Sequence, residues 1–339
     1  MSMVKYIIRR LIAMIPVIFG VMTLTFILSR LMPGDPVLAF LPQGRPNPVL
    51  YRYYYHYLWL DRPIIIQYFR YLGDLFSGNW GYSASINFGQ DVWSLIMLKL
   101  PRTIDIAIFS IIIAAFLGTK AGVVSASHRN KPRDTMIRGI ALVGVSIPVF
   151  YLGLLLQFLF GHILGWFPAT GFKTAEYGDS EFVTGFRLID ALISGEFYYV
   201  TDYLYHLILP VFCLSFISIA GITRQSRSSM LEVLEQDYIR TARAKGCREK
   251  DVIHVHAQRN SLIPTVTVIG LSFAGLLSGA VLTETTFNLK GIGKLLIDSI
   301  RQSDYWVLNA LVFIVTIIFV SINLIIDVIY AMLDPRIRY

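Results

Sequence analysis

Six stretches of this chain are long and apolar enough to cross a bilayer, and they constrain its fold more than any other feature. They lie at roughly 10–31, 103–124, 137–160, 206–223, 264–283 and 307–330. A bilayer core needs about 20 largely apolar residues per helix. Lipid offers no partner to an open backbone, so stretches of this kind become helices. Composition agrees: 55% of the residues are apolar and 15% charged, against about 45–50% and about 25% in soluble domains. Disorder is excluded, because it requires low hydrophobicity and high charge. Two cysteines, Cys213 and Cys247, exclude a disulfide scaffold. The expected fold class is all-α, a polytopic membrane protein with six transmembrane helices.

The first stretch follows Lys5, Arg9 and Arg10 in the manner of a signal peptide. Its apolar run, Leu11 to Leu28, exceeds the about 7–15 residues of a signal core, and no small-x-small cleavage site follows. It is read as a retained first helix. Four spans carry a proline (Pro16, Pro148, Pro210 and Pro264), which neighbouring helices make tolerable in lipid.

Charge sets the expected orientation. With the N-terminus inside, the segments 1–10, 125–135, 224–262 and 331–339 hold 16 Lys/Arg and 7 Asp/Glu. The outer segments 33–102, 161–205 and 284–306 hold 11 and 13. Lys and Arg in short loops are retained in the cytoplasm, so both termini are expected there. The net charge of +8 is then an orientation signal that requires no nucleic acid.

The outer segment 33–102 is rich in rings, from Tyr51, Tyr53, Tyr54, Tyr55, Tyr57 and Trp59 to Tyr68, Phe69 and Tyr71. Such rings favour the headgroup level, and they equally suit protein docking. The outer segment 161–205 carries six acidic residues and two basic ones. Segments 51–71 and 161–205 are both expected to help form a docking platform, with carboxylates pairing to basic groups of a partner.

No enzyme site is visible. His254 and His256 are two residues apart, about 200° around a helix, whereas helical zinc pairs sit four apart. Gly291-Ile-Gly293-Lys294 resembles a phosphate loop, but Asn288 and Leu295 break the required pattern. Asp105, Lys120 and Asp327 sit near span ends, so the spans show no mid-membrane proton relay. Energy, if used, would have to come from a partner. Gly118-Thr-Lys-Ala-Gly122 and Gly275-Leu-Leu-Ser-Gly279 are read as helix-packing faces. The fifth span is the best pathway candidate, with Thr265, Thr267, Ser272, Gly275, Ser278, Gly279 and Thr283 supplying hydroxyls and small residues.

The segment 224–262 is the most informative. Met230, Leu231, Val233, Leu234 and Ile239 give a helix with one apolar side, ended by Lys245 and by Gly246 as its left-handed residue. A second short helix is expected over about 249–258, before Pro264 starts the fifth span. Ordinary helix–helix connections run about 2–8 residues, so forty polar residues held between two spans suggest a rigid docking knob.

At this segment the sequence resembles the inner-membrane permease subunits of binding-protein-dependent ABC importers, and within them the first permease of the dipeptide/oligopeptide branch. Arg227-Ser-Ser-Met-Leu-Glu-Val-Leu and Asp237-Tyr-Ile-Arg-Thr-Ala-Arg-Ala-Lys-Gly246 match that branch's version of the EAA loop. Tyr6-Ile-Ile-Arg-Arg-Leu, Pro33-Gly-Asp-Pro36, Leu60-Asp-Arg-Pro63 and Gly78-Asn-Trp-Gly-Tyr-Ser83 match in the first third. Thr283-Glu-Thr-Thr-Phe287, Gly291-Ile-Gly293 and Asp334-Pro-Arg-Ile-Arg338 match in the last. Two features depart from the pattern. Arg240, Thr241 and Ala242 replace Glu-Ala-Ala of the wider family, as is usual in the peptide branch. Asn79-Trp80 stands where that branch often has Asp-Leu.

The resemblance implies an ABC type I importer permease fold and a multi-pass protein of the cell membrane. It implies an N-terminal part, 1–98, a transmembrane core, 99–330, and a cytoplasmic tail, 331–339. The implied partners are a homologous second permease, two ATP-binding cassette subunits and an extracytoplasmic substrate-binding protein. ATP and Mg would be bound by those partners, with no cofactor in this chain. The knob would be the coupling loop, with Arg243, Ala244, Lys245, Gly246, Cys247, Arg248 and Glu249 at the ATPase contact. The branch also contains oligosaccharide and nickel importers. A non-energised scaffold or channel-like subunit is the alternative from a different class, and a membrane enzyme is a third.

Overall fold

The computed structural model describes residues 3–31, 35–41, 47–176, 178 and 183–333; the side chains of 3, 4, 278, 279 and 330–333 are outside the description. The expected Pro33-Gly34 and 334–338 motif pieces, with most of the 331–339 tail, therefore lie outside the described residues. Helices dominate, and one isolated bridge, between Tyr82 and Asp91, is the β pairing among the described residues.

Five helices are long and apolar enough to cross a membrane. They are α1 (Met3–Leu31), α4 (Val92–Ser127), α8 (Phe197–Leu234), α11 (Gln258–Phe287) and α13 (Tyr305–Leu333). Between α1 and α4 lie α2 (Pro48–Tyr57) and α3 (Ile64–Ser77), and the short α7 (Arg187–Ile193) precedes α8. The expected span at 137–160 is not one rod. It is α5 (Pro132–Ser146) followed by α6 (Val149–Leu156), which runs on as a π-helical turn over Gln157–Ile163, and the two parts meet at 102°. Pro148 permits the bend: its ring disfavours the helical conformation of the preceding residue, and Ile147 is extended, at φ −83 and ψ 125. Pro16, Pro210 and Pro264 stay inside continuous helices.

Two glycines hold the bent halves close to their neighbours. A Cβ at Gly144 would sit 3.0 Å from Ala220 on α8, and one at Gly153 would sit 3.1 Å from the Phe287 ring. The pairing of α4 with α8 uses the expected small-residue face. A Cβ at Gly118 would lie 2.9 Å from Ile222, and one at Gly122 would lie 2.5 Å from Ser226. The corresponding expectation for Gly275 fails within this chain, since a Cβ there meets nothing within 4 Å. Gly270 has that role instead, packed on Ile326 of α13.

Three apolar clusters follow the chain. One joins α1, α3, α4 and α13 through Met22, Leu72, Leu95 and Leu311. The second joins α4, α8 and α11 through Ile106, Tyr203, Leu207 and Phe287. The third, built on Met230, Ile239, Val252 and Ala257, belongs to the knob.

The aromatic outer segment is split between two jobs. Tyr68 and Tyr71 of α3 pack their rings on Phe26 of α1, while α2 has no buried residue. The acidic segment offers less to a partner than its composition promised. Asp190 caps the 184–185 turn, accepting from Thr184 N at 2.7 Å and Gly185 N at 2.9 Å, and Asp202 accepts from Thr174 N and Oγ1. Both carboxylates are buried. Asp179 and Glu181 lie outside the described residues.

Candidate coupling site

The 224–262 segment departs from its expected helices in two places, and one requirement explains the first. Met230 and Ile239 are nine residues apart and would point to opposite sides of a straight helix, yet both are fully buried in the same small cluster. The chain therefore ends α8 at Leu234, breaks at Glu235–Gln236 and restarts as α9 (Asp237–Ala244). Ile239 and Ala242 thereby turn onto Met230, Val252 and Ala257, and Val123 and Ala126 of α4 close the cluster from the other side.

The second departure is downstream. The expected short helix at 249–258 is not separate from the fifth span. A first turn, α10 (Glu249–Asp251), and a π-helical stretch, Val252–Ala257, run directly into α11, and Pro264 lies inside that helix. The knob thus runs unbroken into the fifth span on one side and is joined to α8 across the break at Glu235–Gln236 on the other. His254 and His256 fall on the π stretch, where His254 Nδ1 lies 2.9 Å from Gln258 Oε1.

Between α9 and α10 the turn is a Schellman motif. Gly246 N donates to Arg243 O at 2.9 Å and Cys247 N donates to Ala242 O at 3.2 Å, with Gly246 at φ +79. This is the left-handed glycine expected from sequence. Arg243 then spans the turn with a two-point bridge to Glu249, Nε to Oε2 at 3.1 Å and Nη2 to Oε1 at 2.7 Å. Hydrogen bonding to the Glu249 carboxylate raises the Arg243 guanidinium further above its ordinary value, so it stays charged. Arg243 through Glu249 are all exposed, a continuous polar tip standing on a buried base.

Two further contacts moor the base. Asn260 Nδ2 donates to Tyr238 Oη at 2.8 Å, joining α11 to α9. Arg227, on the part of α8 beyond the expected span, donates to Asp134 at the start of α5 with Nε and Nη2, at 2.8 and 2.9 Å. Asp134 is fully buried and also accepts from Ser125 Oγ at 2.5 Å and Asn130 N at 3.0 Å. Sequence reading missed Asp134; its place in the first turn after Lys131-Pro132 was the available signal.

The pathway candidates divide around α11. Thr265 is fully buried, its hydroxyl donating to Ser261 O at 3.1 Å, while Thr267 and Ser272 are half-buried. Gly275 is exposed on the same face as Pro264, Leu271 and Leu282, which recur at helical spacing. That face is more apolar than the run of hydroxyls suggested. The side chains of Ser278 and Gly279 lie outside the described residues.

At the opposite end of the molecule, the two remaining sequence motifs prove to be carboxylate locks. Glu284, buried on α11, accepts from Thr103 Oγ1 of α4 at 2.5 Å and from Lys294 N at 3.0 Å. It thus satisfies the open N-terminus of α12 (Ile292–Arg301). A Cβ at Gly291 would strike that carboxylate at 2.5 Å, and one at Gly293 would strike the Val281 backbone at 2.6 Å. The resemblance of this loop to a phosphate binder is therefore a helix-packing requirement.

Asp304 stands just before α13 and gathers the 83–86 loop: Ser83 Oγ at 2.6 Å, Ala84 N at 3.0 Å, Ser85 N at 3.1 Å and Ile86 N at 3.3 Å all donate to its Oδ2. Asn at 304 keeps the shape and loses the charge. It is expected to cost about 1–3 kcal/mol and to open residues 80–91 to protease, measured against thermal unfolding of the same sample.

Sequence comparisons agree over the whole length. The description "Binding-protein-dependent transport system inner membrane component" matches residues 118–339, and its N-terminal companion matches residues 3–107. The Di/tripeptide transport system permease protein DppB of Pseudomonas aeruginosa is 43% identical, over 99% of each chain. The Oligopeptide transport system permease protein AppB of Bacillus subtilis is 37% identical, over 99% of this chain and 100% of its own. Among solved structures, the inward-facing MetNI methionine ABC transporter aligns with a TM-score of 0.55 at 15% identity, covering 71% of this chain and 97% of that one. That likeness concerns the fold alone. With both family regions matched and relatives similar end to end, the chain belongs to the binding-protein-dependent transport system inner membrane components, as a multi-pass permease subunit.

Proposed function

We propose that this chain is one permease subunit of an ATP-driven importer of di- and oligopeptides. A homologous second permease would complete the pathway, two ATP-binding subunits would hydrolyse ATP, and an extracytoplasmic binding protein would deliver the peptide. The observation that carries the reading is the exposed 243–249 tip on a base that is continuous with α8 and α11. A force applied at the tip would reach α11 directly and α8 across the packed break at Glu235–Gln236. Names of the similar proteins point to peptides over oligosaccharides or nickel.

The pathway would include the side of α11 bearing Thr267, Ser272 and Gly275. Thr265, turned into the chain, would hold the helix in place. The test is reconstitution of the four-subunit assembly with its binding protein in proteoliposomes. Uptake of labelled dialanine is expected only with ATP present. Uptake of nickel or an oligosaccharide in place of peptide would overturn the substrate, and ATP-independent uptake would overturn the mechanism.

Orientation has a built-in reporter. Cys247 is exposed at the tip and Cys213 is buried. With both termini cytoplasmic, a membrane-impermeant maleimide is expected to label Cys247 in inverted vesicles and not in intact cells. The ATP-binding subunits are expected to protect it. Labelling from outside would reject the orientation and the coupling role together.

A further inference from the structure

Arg138 on α5 and Arg224 on α8 are both exposed, and neither has a carboxylate partner among the described residues. They line one groove of about 610 Å³ between the two helices. Small-molecule sites span about 300–1,000 Å³ and are mostly apolar with a few convergent polar groups. This groove has that character. Thr135 and Ser228 edge one end, Leu142, Val145 and Ala220 wall the other, and the two arginines stand between.

The register of the helices sets the two charges side by side. α5 and α8 run antiparallel, with Asp134 bonded to Arg227 at one end and a Cβ at Gly144 lying 3.0 Å from Ala220 at the other. Counting inward from either contact puts Arg138 and Arg224 at the same level. Arg227, the third guanidinium on the wall, is spent on Asp134. Two like charges facing one groove repel each other. An oxyanion between them removes that cost and gains charge-assisted hydrogen bonds. Beyond the charges, Leu142 and Val145 offer an apolar wall to a short side chain.

We propose that this groove is an oxyanion site at the inner mouth of the pathway, where Arg138 and Arg224 receive the carboxyl end of the peptide before it leaves for the cytoplasm. Two sources share that chemistry, a peptide carboxylate and the phosphodiester of an inner-leaflet lipid. The faces of α5 favour the peptide. Met136, Ile140 and Val143 are exposed at helical spacing on the side away from Arg138, a wholly apolar face suited to lipid. Arginine within a span turns to the bundle interior or to a water-filled cavity, and Arg138 is on the groove side. The choice of peptide and the place in the pathway rest on the importer reading, and the oxyanion site itself does not.

Calorimetry on the full-length chain in phosphatidylcholine nanodiscs tests the site, using dialanine, dialanine amide and glycerophosphoglycerol as probes. Saturable binding of dialanine is expected, with about fivefold weaker binding of the amide, which lacks the carboxylate. Arg138→Gln and Arg224→Gln are each expected to give a similar loss for dialanine. Lys120→Gln, which removes an exposed cation outside the groove, is expected to change nothing. Equal binding of acid and amide to the unaltered chain would overturn the assignment even if the variants failed to fold. A loss with Lys120→Gln as large as with the arginine variants would overturn it too, because general charge would then explain the binding. Binding of glycerophosphoglycerol alone would overturn the peptide and support the same groove for a lipid headgroup. Silence of all three probes would overturn the proposal. Uptake by the assembled importer is a separate measurement. Normal ATP-driven uptake with silent calorimetry would reject the groove without touching the importer reading.

Discussion

Replacing Arg227 with leucine is expected to destabilise the protein by about 3–5 kcal/mol, the usual consequence of removing one partner from a buried charge pair. Asp134 would keep its burial and its bonds to Ser125 and Asn130, and would lose both guanidinium bonds. The size of the effect comes from the stranded carboxylate, more than from the net value of the pair. A double replacement, Arg227→Leu with Asp134→Asn, should therefore recover much of the loss, because the neutral amide can be buried at lower cost.

The consequence extends beyond local stability. Arg227 is where α8, leaving the membrane region, is tied to the start of α5, and the break at Glu235 lies about two turns further on. Without the tie, the base of the knob would pivot on α8. We expect a lower membrane level and a lower unfolding temperature for the single variant, with partial rescue of both in the double. A single variant that is as stable as the unaltered protein would mean that water or another side chain satisfies Asp134.

Five of the spans, the apolar halves of the sixth and the turn at the tip of the knob were legible because each rests on local signals. Long apolar runs and a Gly after a helix-ending Lys both act over a few residues. What escaped was set by contacts distant in sequence. The bend at Pro148 and the straightness at Pro210 cannot be separated by looking at either proline. The difference lies in whether the surrounding helices hold the chain, and α5 and α6 must turn to reach α8 and Phe287 respectively.

The same holds for the buried acids. Glu284, Asp304 and Asp134 read as ordinary loop charges, and each becomes a lock only because a partner arrives from far along the chain: Thr103, Ser83 and Arg227. The run of hydroxyls on α11 misled for a related reason. Composition showed that the helix carries them, but packing against the rest of the chain turned Thr265 inward and left Leu271 and Gly275 outside.

Substitutions at Gly246 are expected to lower transport in a graded order while leaving the membrane level near normal. A Cβ at this position meets nothing within 4 Å, so no neighbour opposes a side chain. The penalty is conformational: at φ +79 a non-glycine residue pays about 1–2 kcal/mol. Asparagine tolerates this region and β-branched residues do not, so Gly246→Asn should retain much of the activity and Gly246→Ile little. The energy is small against the packing of the spans, which explains the expected normal level. It is comparable to what holds the turn, two backbone bonds and the exposed Arg243–Glu249 bridge, a pair that contributes at most about 1 kcal/mol at such exposure. The turn should therefore relax by reorienting α10 against α9, and the tip would present Lys245, Cys247 and Arg248 at altered positions to the ATP-binding subunits. Transport and the stimulation of ATP hydrolysis by the binding protein should fall together. Protection of Cys247 from maleimide by those subunits should fall with them. If Asn and Ile variants lose transport equally while keeping that protection, the turn's conformation is not what transmits the ATPase motion. If both transport normally at normal levels, the 243–249 tip is not the coupling element.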